Sequence, residues 1–233
     1  MFATRLVSGI ILVILALLVV GAGGSILFGV VGMISFIGLF ELYRVMKIER
    51  TPLAWIGYVA CISYYGLLWF DGQQFVTLMA IAALMLLMSF YVFTFPKYKT
   101  EEITVVFFGV FYVAVMLSYL YQVRQMPDGT YMVWLIFISS WGCDTCAYCF
   151  GMLFGKHKLA PILSPKKSIE GAVGGVLGAA VLGYIYALVF RGQMIEVANP
   201  RTVCALACAI AAVISQVGDL AASAIKRNHQ VKD

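Results

Sequence analysis

The chain has 233 residues, of which 63% belong to the hydrophobic class and only 12% are charged. Soluble globular domains carry about 25% charge, so this composition excludes a soluble fold of that length. The net charge of +5 sits in short stretches between long apolar runs, which argues for membrane topology over a nucleic-acid surface.

An apolar run of roughly 18 residues or more can cross a bilayer, because ~20 residues at ~1.5 Å rise cover its ~30 Å hydrocarbon core. Such runs recur at 5–21, 25–46, 53–70, 74–95, 103–123, 131–152, 169–190 and 202–225. Breaks fall at Gly21 to Gly24, Thr51-Pro52, Asp71-Gly72, Phe95-Pro96, Pro127-Asp128-Gly129 and Asn199-Pro200, all residues that end or turn a helix. Arg5 ahead of Leu6 to Val20 has the outline of a signal peptide. The many spans that follow favour a first transmembrane helix instead.

These patterns predict an all-α, polytopic membrane helical bundle of about eight transmembrane helices. Residues 1–233 form a single membrane domain, with scaffold helices over 1–130 and the chemistry over 131–233. With a cytoplasmic N-terminus, only Arg124, Arg191 and Arg201 of the 16 Lys and Arg fall outside. The other thirteen fall inside, which predicts that both termini are cytoplasmic. The six cysteines lie in apolar segments and read as small apolar residues. Cys143, Cys146 and Cys149 share a helical face, but no His or second Cys pair stands near to make a zinc site.

Two aspartates lie inside predicted spans, where a carboxylate costs a few kcal/mol and marks a functional site by default. Asp144 stands in the sixth span, with Ser140 and Tyr148 at spacing four on the same predicted face. Asp219 stands in the eighth, in a polar stripe of Ser215, Asp219, Ser223 and Lys226 with Gln216 beside it. A structural seam between helices is the competing reading for both acids. Asp144 precedes the cytoplasmic end of its predicted span by eight residues and Asp219 by six, or ~12 Å and ~9 Å of rise. At those depths both can line one cavity open to the cytosol. Two facing carboxylates repel unless a cation joins them, and oxygen donors at a wet site suit Mg²⁺.

The segment between these spans carries Lys156, Lys158, Lys166 and Lys167, and a helix is predicted to start near Ser168. Lysines at a helix N-terminus make an anion site, although topology alone also asks for basic residues there. Ser168 is placed to cap that helix, with Glu170 or Gly171 in its first turn. Gly171, Gly174, Gly175, Gly178 and Gly183 on the following helix predict close packing against neighbours. His157 and His229 have no partner at metal-ligand spacing, and no G-x-x-x-x-G-K-[ST] or G-x-G-x-x-G occurs.

Four ordered blocks then stand out: Asp144-Thr145-Cys146-Ala147-Tyr148; Phe154-Gly155-Lys156-His157-Lys158-Leu159-Ala160-Pro161; Ser164-Pro165-Lys166-Lys167-Ser168-Ile169-Glu170-Gly171; and Gly218-Asp219-Leu220 followed by Ser223 to Arg227 and Lys232-Asp233. Over residues 131–233 the sequence resembles the phosphatidate cytidylyltransferases, or CDP-diacylglycerol synthases. Their pattern continues past Lys-Asp into His-Gly-Gly and then Asp-Arg. The sequence stops at Asp233, so the resemblance implies a truncated chain without part of the site.

The resemblance implies transfer of CMP from CTP to phosphatidate, giving CDP-diacylglycerol and pyrophosphate. The catalytic group would be Asp144, Lys167 and Asp219. Substrates would meet Ser164, Lys166, Lys167, Ser223, Lys226, Arg227 and Lys232. Mg²⁺, with room for a second cation, would be held by Asp219, Asp144 and Asp233. The setting implied is a bacterial cytoplasmic membrane, with a homodimer whose site faces the cytosol, membrane lipid as a partner, and no nucleic acid. Two other readings stand beside it. A CTP-dependent polyprenol or dolichol kinase shares the nucleotide and the membrane. A transporter would also bury acids, but more often with inverted repeats and broken helices.

Overall fold

The computed structural model describes the backbone of residues 2–228, with the side chains of Val7 and of residues 9–228. Among the described residues the chain forms eight helices and one hairpin. They are α1 (Phe2–Ala22), α2 (Gly24–Val45), α3 (Pro52–Trp69), α4 (Gln73–Thr94), α5 (Thr100–Gln125), α6 (Gly129–Phe154), β1 (Lys158–Ala160), β2 (Ser164–Ser168), α7 (Ile169–Phe190) and α8 (Pro200–Asn228). Seven of them, α2 to α8, are long and apolar enough to cross a membrane. Within α1, Gly9–Ala22 is a shorter apolar stretch. The fold is thus an all-helical polytopic membrane bundle, and every predicted span matches a helix with ends within three residues. The cause is the bilayer itself, which leaves an apolar segment no way to satisfy its backbone except as a helix.

The chain divides into two compact units, residues 1–122 and 123–233. In the first, polar groups on apolar helices find one another, as buried donors must. The Tyr43 hydroxyl donates to the Val106 carbonyl at 2.7 Å, Tyr65 meets the Ser35 hydroxyl at 2.6 Å, and Tyr64 meets that of Ser118 at 2.8 Å. A π-helical stretch at Val110–Val115 widens α5. Thr51 caps α3 by accepting the Ala54 N–H at 3.2 Å, with Pro52 at the first helical position.

The second unit packs α6, α7 and α8 together, with the hairpin joined to them. The glycines of α7 make the close packing possible. A Cβ on Gly174 would collide with the Phe150 ring, one on Gly178 with the Cys146 side chain, and one on Gly175 would lie 2.9 Å from the Cys143 carbonyl. Cys143 and Cys146 of α6 therefore both face α7, as packing residues.

The structure departs from the sequence reading between α6 and α7. The predicted basic loop is a two-stranded antiparallel hairpin, with Lys158 opposite Ser168 and Ala160 opposite Ser164. The strands have three and five residues, too short for a strand signal to emerge from a segment that also holds two prolines.

Candidate active site

Between α6, α7, α8 and the hairpin lies a cavity of about 360 Å³. Its wall includes Asp144 and Tyr148 from α6, Lys166 and Lys167 from β2, and Gln216 from α8. Asp219 is brought to it by a direct ion pair: the Lys167 Nζ donates to Asp219 Oδ2. Asp144 lies within electrostatic reach of both Lys167 and Asp219. Lys167 is thus paired with Asp219 and lies near Asp144, where its ammonium offsets the repulsion between the two acids. Sequence spacing gave no sign of this pairing, because the partners are 52 residues apart.

The acids lie ten and nine residues before the ends of α6 and α8, at Phe154 and Asn228, or ~15 Å and ~14 Å of rise. Both distances exceed those expected, because both helices run past their predicted ends. A π-helical stretch, Ile138–Gly142, stands just before Asp144 and disturbs the even α-helical register assumed for Ser140, Asp144 and Tyr148. Ser140 accepts a hydrogen bond from Ser215 at 3.2 Å, while Asp144 and Tyr148 line the cavity. Gln216 donates to the Ala172 carbonyl at 2.9 Å and to the Cys143 sulfur at 3.2 Å. The stripe on α8 is therefore divided. Ser215 and Gln216 bind neighbouring helices, and Asp219 belongs to the charged cluster.

The start of α7 is more occupied than the sequence suggests. Ser168 caps the helix, its hydroxyl accepting the Gly171 N–H at 3.1 Å. The Ile169 N–H donates to the His157 carbonyl at 2.9 Å. With these donors engaged, anion binding at this end falls to the lysine side chains. Glu170 and His157, which the sequence left as ordinary residues, meet at 2.6 Å between Oε1 and Nδ1.

The remaining predicted residues are spread around the hairpin and the end of α8. Arg227 Nε donates to the Leu163 carbonyl at 2.7 Å, so it holds the tip of the hairpin to α8. Ser164 opens β2 opposite Ala160. Ser223 and Lys226 follow Asp219 on α8. Lys232 and Asp233 lie outside the described residues.

Among the described residues, no three His, Cys, Asp or Glu side chains gather to hold a metal. The available donors are the carboxylates of Asp144 and Asp219, all oxygen and beside an open cavity. Mg²⁺ usually binds through one or two carboxylates and completes its shell with water and substrate phosphates. These two residues fit that chemistry.

Comparison with known proteins places the sequence in a wider group. Residues 3–233 match the sequence profile described as the cytidylyltransferase family. The chain is 29% identical to a phosphatidate cytidylyltransferase of Staphylococcus saprophyticus, over 98% of this chain and 86% of that protein. It is 27% identical to a phosphatidate cytidylyltransferase of Bacillus subtilis and 29% to one of Staphylococcus haemolyticus, again over 98% of this chain and 86% of each relative.

Proposed function

The chain belongs to the cytidylyltransferase family, and we propose that it transfers CMP from CTP to phosphatidate, releasing CDP-diacylglycerol and pyrophosphate. It is a CTP-dependent nucleotidyltransferase of phospholipid biosynthesis in a multi-pass membrane protein. The observation that carries this reading is the cavity itself, where Lys166 and Lys167 stand with Asp144 and Asp219 in the unit that holds the four sequence blocks.

In the reaction, an oxygen of the phosphatidate phosphate attacks the α-phosphorus of CTP. A new P–O bond forms, the bond from the α-phosphorus to its bridging oxygen breaks, and pyrophosphate leaves. Both reactants are anions, so the protein's task is positioning and charge neutralisation more than proton transfer. Lys166 and Lys167 hold the triphosphate. Asp144 and Asp219, with Asp233, would hold Mg²⁺. When bound, that ion neutralises charge on the phosphate oxygens. Ser164, Ser223, Lys226, Arg227 and Lys232 would meet the lipid headgroup or the nucleotide.

The charge split along the chain supports a site that faces the cytosol in a bacterial cytoplasmic membrane, with both termini on that side. The family resemblance supports a homodimer. A polyprenol kinase would use the same nucleotide differently, and isotopic labelling separates the two. Membranes carrying the protein should move label from the α-phosphorus of CTP into lipid when phosphatidate is supplied, and none from the γ-phosphorus. Transfer of γ-label to a polyprenol would replace this reading with the kinase. Failure of both would return the transporter to consideration.

A further inference from the structure

We infer that Glu170 is a positioning residue that closes the base of the hairpin, and so aims Lys166 and Lys167 at the cavity while keeping its own charge out of it. This inference rests on the reading that the cavity receives phosphates. The chain leaves α6 after Phe154 and enters β1 at Lys158, so Gly155, Lys156 and His157 are the whole link between them. Glu170 grips the last two. Its Oε2 accepts the Lys156 N–H at 3.1 Å and the His157 N–H at 3.2 Å, and its Oε1 meets His157 Nδ1 at 2.6 Å. The backbone reciprocates, with the Ile169 N–H donating to the His157 carbonyl at 2.9 Å. The first strand pair, Lys158 with Ser168, follows directly from this clamp, and Lys167 and Lys166 are the next residues along β2.

An isolated two-stranded hairpin is marginally stable at best, and this one has strands of three and five residues. Its aim must come from side chains outside it. Arg227 holds the Leu163 end of the tip, and Glu170 holds the base. Charge gives a second argument. Glu170 stands three positions after Lys167, at a helix N-terminus that favours an anion. Left loose, its carboxylate would repel the phosphates the lysines attract. Engaged by three donors, it complements the helix end and is absent from the cavity wall.

The test uses the full chain in native membranes, comparing Glu170→Ala and Glu170→Gln with the unaltered protein. Glutamine keeps an oxygen that can accept the backbone N–H groups, whereas alanine keeps none. Loss of the clamp in Glu170→Ala should raise the KM for CTP about tenfold or more with a smaller change in kcat, and Glu170→Gln should recover most of that loss. Trypsin should also cut at Lys158 and Lys166 faster in the Ala variant than in the Gln variant, with cleavage at Lys97 and Lys99 unchanged. An Ala variant with native KM and native cleavage overturns the inference. A Gln variant as impaired as Ala also overturns it, as does faster cleavage everywhere, which would mark general unfolding. If the unaltered protein makes no CDP-diacylglycerol, the proposed function fails, yet the cleavage pattern still decides whether Glu170 closes the hairpin.

Discussion

Exchanging lysines for glutamine in two pairs separates membrane topology from chemistry. Either double change, Lys156 with Lys158 or Lys166 with Lys167, leaves eleven of the thirteen predicted inside cations against three outside, so orientation should survive both. Only Lys166 and Lys167 line the cavity, and Lys167 is paired with Asp219. Lys158 is exposed on β1, and Lys156 meets Glu170 through its backbone N–H, which glutamine retains. Folding should also be spared. The Lys167–Asp219 pair is partly exposed, at 29% and 56% of the two side chains, and pairs in that setting contribute ~0–1 kcal/mol. The expected loss lies in phosphate binding, at ~1.5–3 kcal/mol for each charge-assisted contact. Two contacts then cost ~3–6 kcal/mol, or roughly 10²- to 10⁴-fold in kcat/KM. The assay is CDP-diacylglycerol formation at matched membrane expression, with CTP varied. Equal activity in the two double variants would refute the reasoning and remove Lys166 and Lys167 from the site.

Two further outcomes are expected. Asp219→Asn keeps the shape of the side chain but loses its charge, so CMP transfer should fall by several kcal/mol of transition-state stabilisation, with membrane insertion unchanged. Residual turnover should then need more Mg²⁺. Near-native turnover at native Mg²⁺ would make Asp219 a seam residue. A reporter fused after Asp233 should be cytoplasmic and one inserted at Asp71-Gly72 external; opposite labelling would overturn the orientation and the cytosolic site together.

The spans were legible because in a bilayer length and hydropathy nearly determine the backbone. The cap at Ser168 was legible for a local reason, since a hydroxyl before an apolar periodic run can only usefully meet the first turn. The close packing of α7 was legible from its glycines. The hairpin was not, because its short strands are fixed from outside by Glu170 and Arg227, which lie beyond any strand window. The π-helical stretch before Asp144 has no composition of its own, so the even spacing of Ser140, Asp144 and Tyr148 suggested a single face that the backbone does not keep. The acids were visible as expensive residues in apolar helices. Their shared cation was not, since Lys167 and Asp219 meet only through the tertiary fold.

That shared cation bears on how the site receives its substrates. Two carboxylates near each other repel, and one ammonium paired with Asp219 and within reach of Asp144 relieves it. On the proposed reading, a triphosphate entering the cavity competes with Asp219 for Lys167. With Lys167 turned to phosphate, Asp219 and Asp144 would be the carboxylates that could hold a divalent cation accompanying the nucleotide. The Lys167–Asp219 pair is thereby exchanged for a Lys167–phosphate pair. The exchange also accounts for the placing of Lys167 on a hairpin rather than inside a transmembrane helix. Clamped at its base by Glu170 and at its tip by Arg227, the hairpin can keep its position while a four-carbon side chain swings between a carboxylate and a phosphate.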